Sequence, residues 1–397
     1  METIVCIGGG SGGHLNPAIS VLTDILETNS KSGKIIKCYL ITDPRCVEYI
    51  KSLPPEIEVY ILKIIKTPTK IWEWPKVIFN YIKCLGEVLW YLRSIKPSMI
   101  IGFGSYVSFF SIIAARLLGI TTIAHEQNII PSKTTKVLKN FVDHIAVSFE
   151  ITKSILNNKI SYNDLNNPAF KYDKYESFCK IKKTNNFFHL LFAKKLNIVY
   201  TGNPIKSTLI LTKEKTFSSN LEFKILIFGG SQGAKILDDL CPSIMYSIEK
   251  IFKTKYPNFT LHVSHQAHNM DHVKNKYEEL NLSCRVSNYF MDMNKEYDEA
   301  DLVISRSGAS TIFELIQKAQ PSILIPYPLS YKDHQLHHAR YLNEMKCGWL
   351  IEQKDFEQSL QDKIIELIEN RELLLEYSKN LIKLQCNWNQ KMLDLIL

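Results

Sequence analysis

Apolar positions along the chain follow two rhythms. Short aliphatic and β-branched runs read as buried strands at Glu2 to Ile7, Lys34 to Ile41, Val59 to Ile64, Thr121 to Ala124 and Asp143 to Ser148. Pro97 to Tyr106 reads as a strand running into a loop of small residues. Between these runs, apolar residues recur at helical spacing, as in the segment that opens at Pro17-Ala18-Ile19-Ser20-Val21-Leu22 and in Ser111 to Leu118. Strand alternating with helix predicts a parallel sheet with right-handed crossovers. A strand at Asn197 to Tyr200 leads to the turn Thr201-Gly202-Asn203-Pro204, and the pattern then starts again. Further strands are expected at Leu221 to Phe228, Thr260 to Ser264, Cys284 to Phe290, Asp301 to Ser305 and Pro321 to Pro326. From Phe356 onward the chain reads as helix. Residues 150–196, rich in Asn, Lys, Tyr, Ser and Phe, break the rhythm and predict an insertion, partly disordered or loosely helical.

The fold class is therefore α/β, with two Rossmann-like halves. The expected division is 1–204, 205–377, and a last segment 378–397 that returns to the first domain. A length of 397 residues agrees with two domains. At 45% hydrophobic and 22% charged, the chain has the composition of a globular protein, and no apolar run is long enough to span a bilayer. The N-terminus enters a strand directly, so no secretory signal is expected. Nine scattered cysteines with no CxxC pair predict reduced, buried thiols and no zinc site. The net charge of +8 suits an anionic substrate or membrane surface; with no dense basic–aromatic stripe, nucleic acid is not expected as a partner.

Both halves open on the same device. The first strand runs into Gly8-Gly9-Gly10-Ser11-Gly12-Gly13-His14, and the strand Leu221 to Phe228 runs into Gly229-Gly230-Ser231-Gln232-Gly233. Glycine loops between a strand and a helix present backbone N–H groups to an anion, usually a phosphate. Gly8-x-Gly10-x-x-Gly13 also satisfies the dinucleotide fingerprint, with Asp43 as ribose acid, so the loop alone leaves nicotinamide chemistry open. Three further features admit two readings each. His125-Glu126-Gln127-Asn128, at a strand's carboxyl end, fits a site or the pairing of buried backbone groups. Glu314 fits a capping box with Ser310 or Thr311, or a carboxylate holding a diol. Residues 63–93, where Lys63, Lys66, Lys70, Lys76, Lys83 and Arg93 alternate with tryptophans and aliphatics, fit a membrane-surface patch or an ordinary core-facing helix.

Taken in order, GGGSGGHLNP, GFGSYVS, HEQN, GNPIK, GGSQGAK and SRSGASTIFEL with the later HQ pair resemble the MurG family over nearly the whole chain except 150–196. The resemblance implies glycosyltransferase B architecture, two Rossmann-like domains with parallel sheets facing a cleft, and the two-domain layout predicts that the cleft closes on donor binding. It implies inverting transfer of N-acetylglucosamine from UDP-N-acetylglucosamine to the muramoyl 4-hydroxyl of lipid I, giving lipid II for peptidoglycan synthesis. It further implies no cofactor or metal and a peripheral place on the cytoplasmic face of the bacterial inner membrane. Cell-wall synthesis proteins are candidate partners. The first domain would hold lipid I and the second UDP-N-acetylglucosamine.

Carried onto this sequence, the resemblance makes His14 the leading general base, since a histidine titrates near neutrality. Glu126 and Tyr106 are further catalytic candidates. Ser11, Gly12, Gly13, Asn128, Lys206, Ser231, Phe290, Ala309, Ser310, Thr311, Glu314 and Gln335 would bind the donor, Glu314 at the ribose and Phe290 at the uracil through its backbone. Gly10, Ser11, Gly12, Gly13, Gly104, Ser105 and Tyr106 would hold the acceptor diphosphate. The chain departs from the family at Lys206, in place of the usual Arg, and at His338, in place of the usual Asn. Rival readings are another enzyme of the same architecture acting on a lipid such as diacylglycerol, a nicotinamide-dependent oxidoreductase, and an idle lipid-binding scaffold.

Overall fold

The computed structural model describes residues 2–10, 12–33, 35–51, 53–65, 70–178, 196–209, 212, 214–218, 221–230 and 233–397. They form two compact units: Met1–Ser207 with Asn387–Leu397, and Thr208–Cys386.

The first unit holds strands β1 (Glu2–Ile7), β2 (Ile36–Thr42), β3 (Ile57–Ile61), β4 (Met99–Gly102), β5 (Thr121–Glu126), β6 (His144–Val147) and β7 (Asn197–Tyr200). Its helices are α1 (Gly12–Ser32), α2 (Val47–Ile50), α3 (Trp74–Ile95), α4 (Ser105–Leu117), α5 (Lys133–Leu138), α6 (Glu150–Leu156) and α7 (Tyr162–Leu165). The second unit holds β8 (Glu222–Phe228), β9 (Thr260–Gln266), β10 (Cys284–Ser287), β11 (Leu302–Ser305), β12 (Ser322–Leu324) and β13 (Trp349–Leu350). Its helices are α8 (Lys235–Lys255), α9 (Met270–Glu279), α10 (Met293–Glu299), α11 (Ala309–Gln317), α12 (His334–Glu344), α13 (Phe356–Glu369) and α14 (Arg371–Leu384). The last helix, α15 (Trp388–Ile396), belongs to the first unit.

All strand pairs are parallel. The sheet orders are β3-β2-β1-β4-β5-β6-β7 and β10-β9-β8-β11-β12-β13. In each, the order reverses at the first strand, between β1 and β4 and between β8 and β11. At such a reversal the loops leaving the two strands diverge and open a crevice at the strands' carboxyl ends. Strand β1 shows why both faces are covered. Ile4 and Cys6 pack with Leu15, Ala18, Leu22 and Ile25 of α1, while Val5 and Ile7 pack with Val88, Leu92 and Val107 on the opposite face. Each fully buried aliphatic side chain of this kind contributes roughly 1.5–3 kcal/mol.

Several expected boundaries move. Helix α1 begins at Gly12, so Pro17 lies inside it. Pro17 has no N–H for the Gly13 carbonyl, and the helix tolerates this one missing bond near its start. Strand β5 continues through His125 and Glu126, which therefore sit inside the sheet. Residues 150–178 carry helices α6 and α7, with Ile151, Leu156, Ile160 and Leu165 buried; the remainder of the expected insertion, 179–195, lies outside the described residues. The chain returns to the first unit at Asn387, later than residue 378. Helix α14 belongs to the second unit, where Ser378 donates to the Ala319 carbonyl at 2.8 Å and Tyr377 stacks on Trp349.

Helix α3 shows two apolar faces. Val77, Cys84, Val88 and Leu92 form a buried stripe, whereas Phe79 (72% exposed) and Trp90 (71%) stand in solvent with Ile78 and Ile82. Trp72, just before the helix, is likewise 71% exposed. The two readings of residues 63–93 thus describe different faces of one element. Lys66 lies outside the described residues. No described helix is long and apolar enough to cross a membrane.

Helix α15 is fixed to the first unit by apolar contact and by one amide. Met392, Leu393 and Ile396 join the α1 core. The Asn389 carboxamide donates to Asp24 Oδ2 at 2.7 Å and to the Ile205 carbonyl at 2.8 Å, and accepts the Ile205 N–H at 3.0 Å. Ser20 also donates to the Ile205 carbonyl. Gly202, with φ +73°, lies against the Trp388 ring, where a Cβ would come within 2.1 Å of Cε3. Burial, helped by Glu27 and opposed by the Asn389 hydrogen bond, raises the Asp24 carboxyl to about 7. Its folded pKa exceeds its unfolded one, so its stabilising contribution is complete below about pH 4 and lost as pH rises through 7. Asp24→Asn should flatten the decline in stability between pH 5 and pH 8 seen in urea unfolding of the wild type. An unchanged slope would show that Asp24 does not titrate on unfolding.

Candidate active site

The first unit gathers its chemistry around Gly8 to Gly10. The loop leaves β1 under steric constraint. A Cβ at Gly8 would lie 2.6 Å from the His14 carbonyl oxygen, and Gly10 has φ +81°. Beside it runs the loop after β4, where Gly104 (φ +106°) and Ser105 (φ +72°) precede helix α4. A left-handed serine is strained, and such strain concentrates at functional turns. A Cβ at Gly104 would lie 2.8 Å from His14 Nδ1, so the imidazole rests directly on this glycine. A Cβ at Gly9 would lie 3.3 Å from Ser105 Oγ. His14, Gly104, Ser105 and the first glycine loop are thereby brought together. Ser11 lies outside the described residues, and Tyr106 is an exposed residue in the first turn of α4.

His14 Nδ1 is buried and has no hydrogen-bond partner among the described residues; the same holds for Ser105 Oγ. Burial lowers the His14 pKa below its ordinary 6.5. The Glu126 charge, Gln127 and the Phe103 carbonyl pull it upward, and the Arg45 charge pushes it down. The imidazole is therefore neutral near pH 7 and able to accept a proton.

Glu126 is engaged elsewhere. Its Oε1 accepts from the Asn128 N–H (3.0 Å) and Asn128 Nδ2 (3.1 Å), and its Oε2 from the Ser132 N–H (2.8 Å) and Thr135 Oγ1 (2.5 Å). The carboxylate staples the loop after β5 to the start of α5 and sets the Asn128 amide. His125 donates through Nε2 to the Gly202 carbonyl at 3.0 Å, and burial drops its pKa to about 4. Asp43, the expected ribose acid of the dinucleotide reading, is corrected. Both its oxygens are held by Arg45, Nε to Oδ1 at 2.8 Å and Nη2 to Oδ2 at 2.7 Å, so it cannot take a ribose diol.

In the second unit the loop after β8 folds on itself. A Cβ at Gly229 would lie 2.2 Å from the Ala234 nitrogen, and Gly230 and Gly233 have φ +76° and +70°. Ser231 and Gln232 lie outside the described residues. His268 packs on Gly233 and is set there by Asp238, whose Oδ2 accepts the His268 N–H at 3.0 Å.

Across the strand-order reversal, Gly308 is the N-cap of α11 without a side-chain cap, so Ala309, Ser310 and Thr311 form its first turn. Glu314 is not a capping-box residue; Tyr297 Oη donates to its Oε2 at 2.9 Å. Tyr297 is fully buried on α10, and its carbonyl accepts from Lys215 Nζ at 2.5 Å. Gln335 lies in α12. Its side-chain oxygen accepts the Tyr327 N–H at 3.0 Å and its carbonyl accepts from Ser307 Oγ at 2.8 Å. Lys332 and Asp333 before it are both left-handed. His338 Nδ1 donates to the Ser307 carbonyl at 2.9 Å, a structural bond within the departure from the family pattern. The Phe290 N–H goes to Gln266 Oε1 at 3.2 Å, while Arg285 covers its ring at 4.8 Å. Lys206 is exposed. Among the described residues, no group of three or more His, Cys, Asp or Glu side chains could hold a metal ion.

Sequence reasoning missed Arg45 and Tyr297. The first had a signal, since Asp43-Pro44-Arg45 ends a strand in a turn. The second, one tyrosine in a short helix, had none.

Two parallel sheets of this order, each with a glycine loop at its reversal, are two Rossmann-like α/β domains of the glycosyltransferase B kind. Residues 4–147 match the N-terminal domain of glycosyltransferase family 28 and residues 224–390 its C-terminal domain. A UDP-N-acetylglucosamine–N-acetylmuramyl-(pentapeptide) pyrophosphoryl-undecaprenol N-acetylglucosamine transferase of Rickettsia bellii is 32% identical over 96% of this chain and 95% of its own. The Rickettsia akari protein of the same name is 33% identical over 100% and 98%. The chain belongs to the MurG family. The crystal structure of Acinetobacter baumannii MurG superimposes with a TM-score of 0.69 at 22% identity, covering 100% of this chain and 99% of that one. A UDP-GlcNAc 2-epimerase from Neisseria meningitidis bound to UDP-GlcNAc shares the fold at TM-score 0.57 and 15% identity, covering 99% of both.

Proposed function

We infer that the protein transfers N-acetylglucosamine from UDP-N-acetylglucosamine to the muramoyl 4-hydroxyl of lipid I, forming lipid II. The observation that carries the reading is the doubled strand-order reversal, with a glycine loop in each sheet. Behind the first loop stands a half-buried histidine, neutral near pH 7, and in the second unit the Glu314 carboxylate of α11 accepts from a tyrosine. The second unit would take the donor. Its loop and the first turn of α11 offer backbone N–H groups to the diphosphate, and Glu314 accepts from the ribose hydroxyls. Ser231 completes the phosphate site, and Ala309, Ser310, Thr311 and Gln335 face the phosphate and sugar. The Phe290 carbonyl suits the uracil N–H, since its own N–H is bonded to Gln266. Lys206 would add charge without the planar fork of an arginine.

The first unit would take the acceptor. Gly10 to Gly13 with Gly104, Ser105 and Tyr106 cradle its diphosphate, and His14 removes the proton from the attacking hydroxyl as the sugar–phosphate bond breaks. A single in-line displacement inverts the anomeric carbon. Glu126 acts by positioning Asn128 and through its charge on His14. The exposed apolar face of α3, flanked by Lys70, Lys76, Lys83 and Arg93, suits peripheral contact with an anionic membrane surface.

The test is transfer from labelled UDP-N-acetylglucosamine to a short-chain lipid I analogue with chelator present. Wild type should form the disaccharide product, and absence of product contradicts the reading. In the same assay His14→Ala should lower turnover by about 10²–10⁴-fold with donor affinity unchanged. Unaltered turnover removes His14 as base.

Tyr297→Phe removes the hydrogen bond that Tyr297 Oη donates to Glu314 Oε2. It should weaken UDP binding by roughly three- to thirtyfold in titration calorimetry. Affinity for 2′,3′-dideoxy-UDP, which lacks the diol, should not change. Equal losses for both nucleotides would assign Tyr297 to folding alone.

A further inference from the structure

We propose that Arg45 is an anion-binding residue of the first glycine loop, a fixed guanidinium that engages the diphosphate of the acceptor. The inference rests on the reading that the acceptor carries a diphosphate, and it adds a residue which that reading does not contain. Asp43, at the end of β2, is buried at 1% exposure. Its Oδ1 also accepts the Arg45 N–H at 3.0 Å, so turn and side chain are locked by one carboxylate. The Arg45 side chain remains 40% exposed.

The geometry lays the cation against the loop. The fork consumes Nε and one N–H of Nη2. Because a guanidinium is planar, its remaining N–H groups face away from Asp43. Gly10 lies over the guanidinium plane beside that edge, where a Cβ would be 3.1 Å from Nη2, 3.4 Å from Cζ and 3.5 Å from Nη1. Nη1 makes no hydrogen bond among the described residues. Gly9 is pressed from the same side, its Cβ position being 2.5 Å from Asp43 Oδ2. Two consecutive glycines thus leave room for this ion pair.

A second observation shows that the place is built for a ligand. Ser105 Oγ and His14 Nδ1 both reach the loop region and are buried without partners among the described residues. Unpaired buried polar atoms are unfavourable unless a ligand completes them. With Arg45 they form a set of polar groups at the carboxyl ends of β1, β2 and β4. A net-neutral ion pair adds little to the overall field. Its value is orientation, since bidentate clamping holds the guanidinium for a second, phosphate-directed pair.

The experiment uses the full chain and a short-chain polyprenyl diphosphate, with the corresponding monophosphate for comparison. Binding is read by titration calorimetry, independently of catalysis. Wild type should prefer the diphosphate. Arg45→Ala should weaken diphosphate binding by at least about tenfold and bring it close to monophosphate binding, with UDP affinity unchanged and the melting temperature lowered, since the buried Asp43 carboxylate loses its partner. Arg45→Lys, which keeps the charge and loses the fork, should fall between the two. In the transfer assay the acceptor KM should rise while the donor KM holds. A diphosphate preference unchanged in both variants overturns the proposal, as does a parallel loss of UDP and diphosphate binding. Failure of wild type to transfer to the lipid I analogue, with the Arg45-dependent preference intact, would count against the assigned reaction and leave the anion site standing.

Discussion

Parallel pairing of one central strand with two neighbours sets the rest of each unit. Strand β1 lies between β2 and β4, and β8 between β9 and β11. Parallel strands require crossovers, and where their direction along the sheet reverses, successive loops cannot cover the strand ends between them. The chain fills these two openings with glycine because each loop folds back on the start of its own helix at distances that a Cβ would violate. A Cβ 2.2 Å from backbone at Gly229 and one 2.6 Å from backbone at Gly8 are the same constraint met twice.

A second regularity concerns the residues around those openings. Few of the polar groups stand alone. Asn128 is set by Glu126, Glu314 by Tyr297, His268 by Asp238 and Arg45 by Asp43. Each partner is buried, so its own position is fixed by packing, and the group it holds inherits that precision. His14 differs: its ring is laid on Gly104, and its Nδ1 is left unpaired among the described residues.

Much of this was legible in the sequence. Strand–glycine–helix transitions mark themselves because β-branched runs, glycine and helical spacing are all local signals. The positions of Gly104, Glu314 and His14 at strand ends or helix starts followed from them. What the sequence concealed is non-local or short. The two-residue strand β13 carries too few positions for a periodicity. Pro17 imitates a helix start although the helix has already begun at Gly12. The two faces of α3 are both apolar, and only packing shows which one the sheet covers. Glu126 shows in the sequence only as a polar residue at the end of a strand; its four donors, from the following loop and α5, are seen only in the fold. Asp43 looks free until Arg45 folds back onto it.

The central claim is a division of labour between two similar loops, the nucleotide diphosphate belonging to the second. Amide hydrogen exchange of the full chain with saturating UDP tests it most directly. The account expects the strongest protection in peptides covering 228–234 and 306–315, with lesser change at 7–14. Protection greatest at 7–14, with 228–234 unaffected, would contradict it.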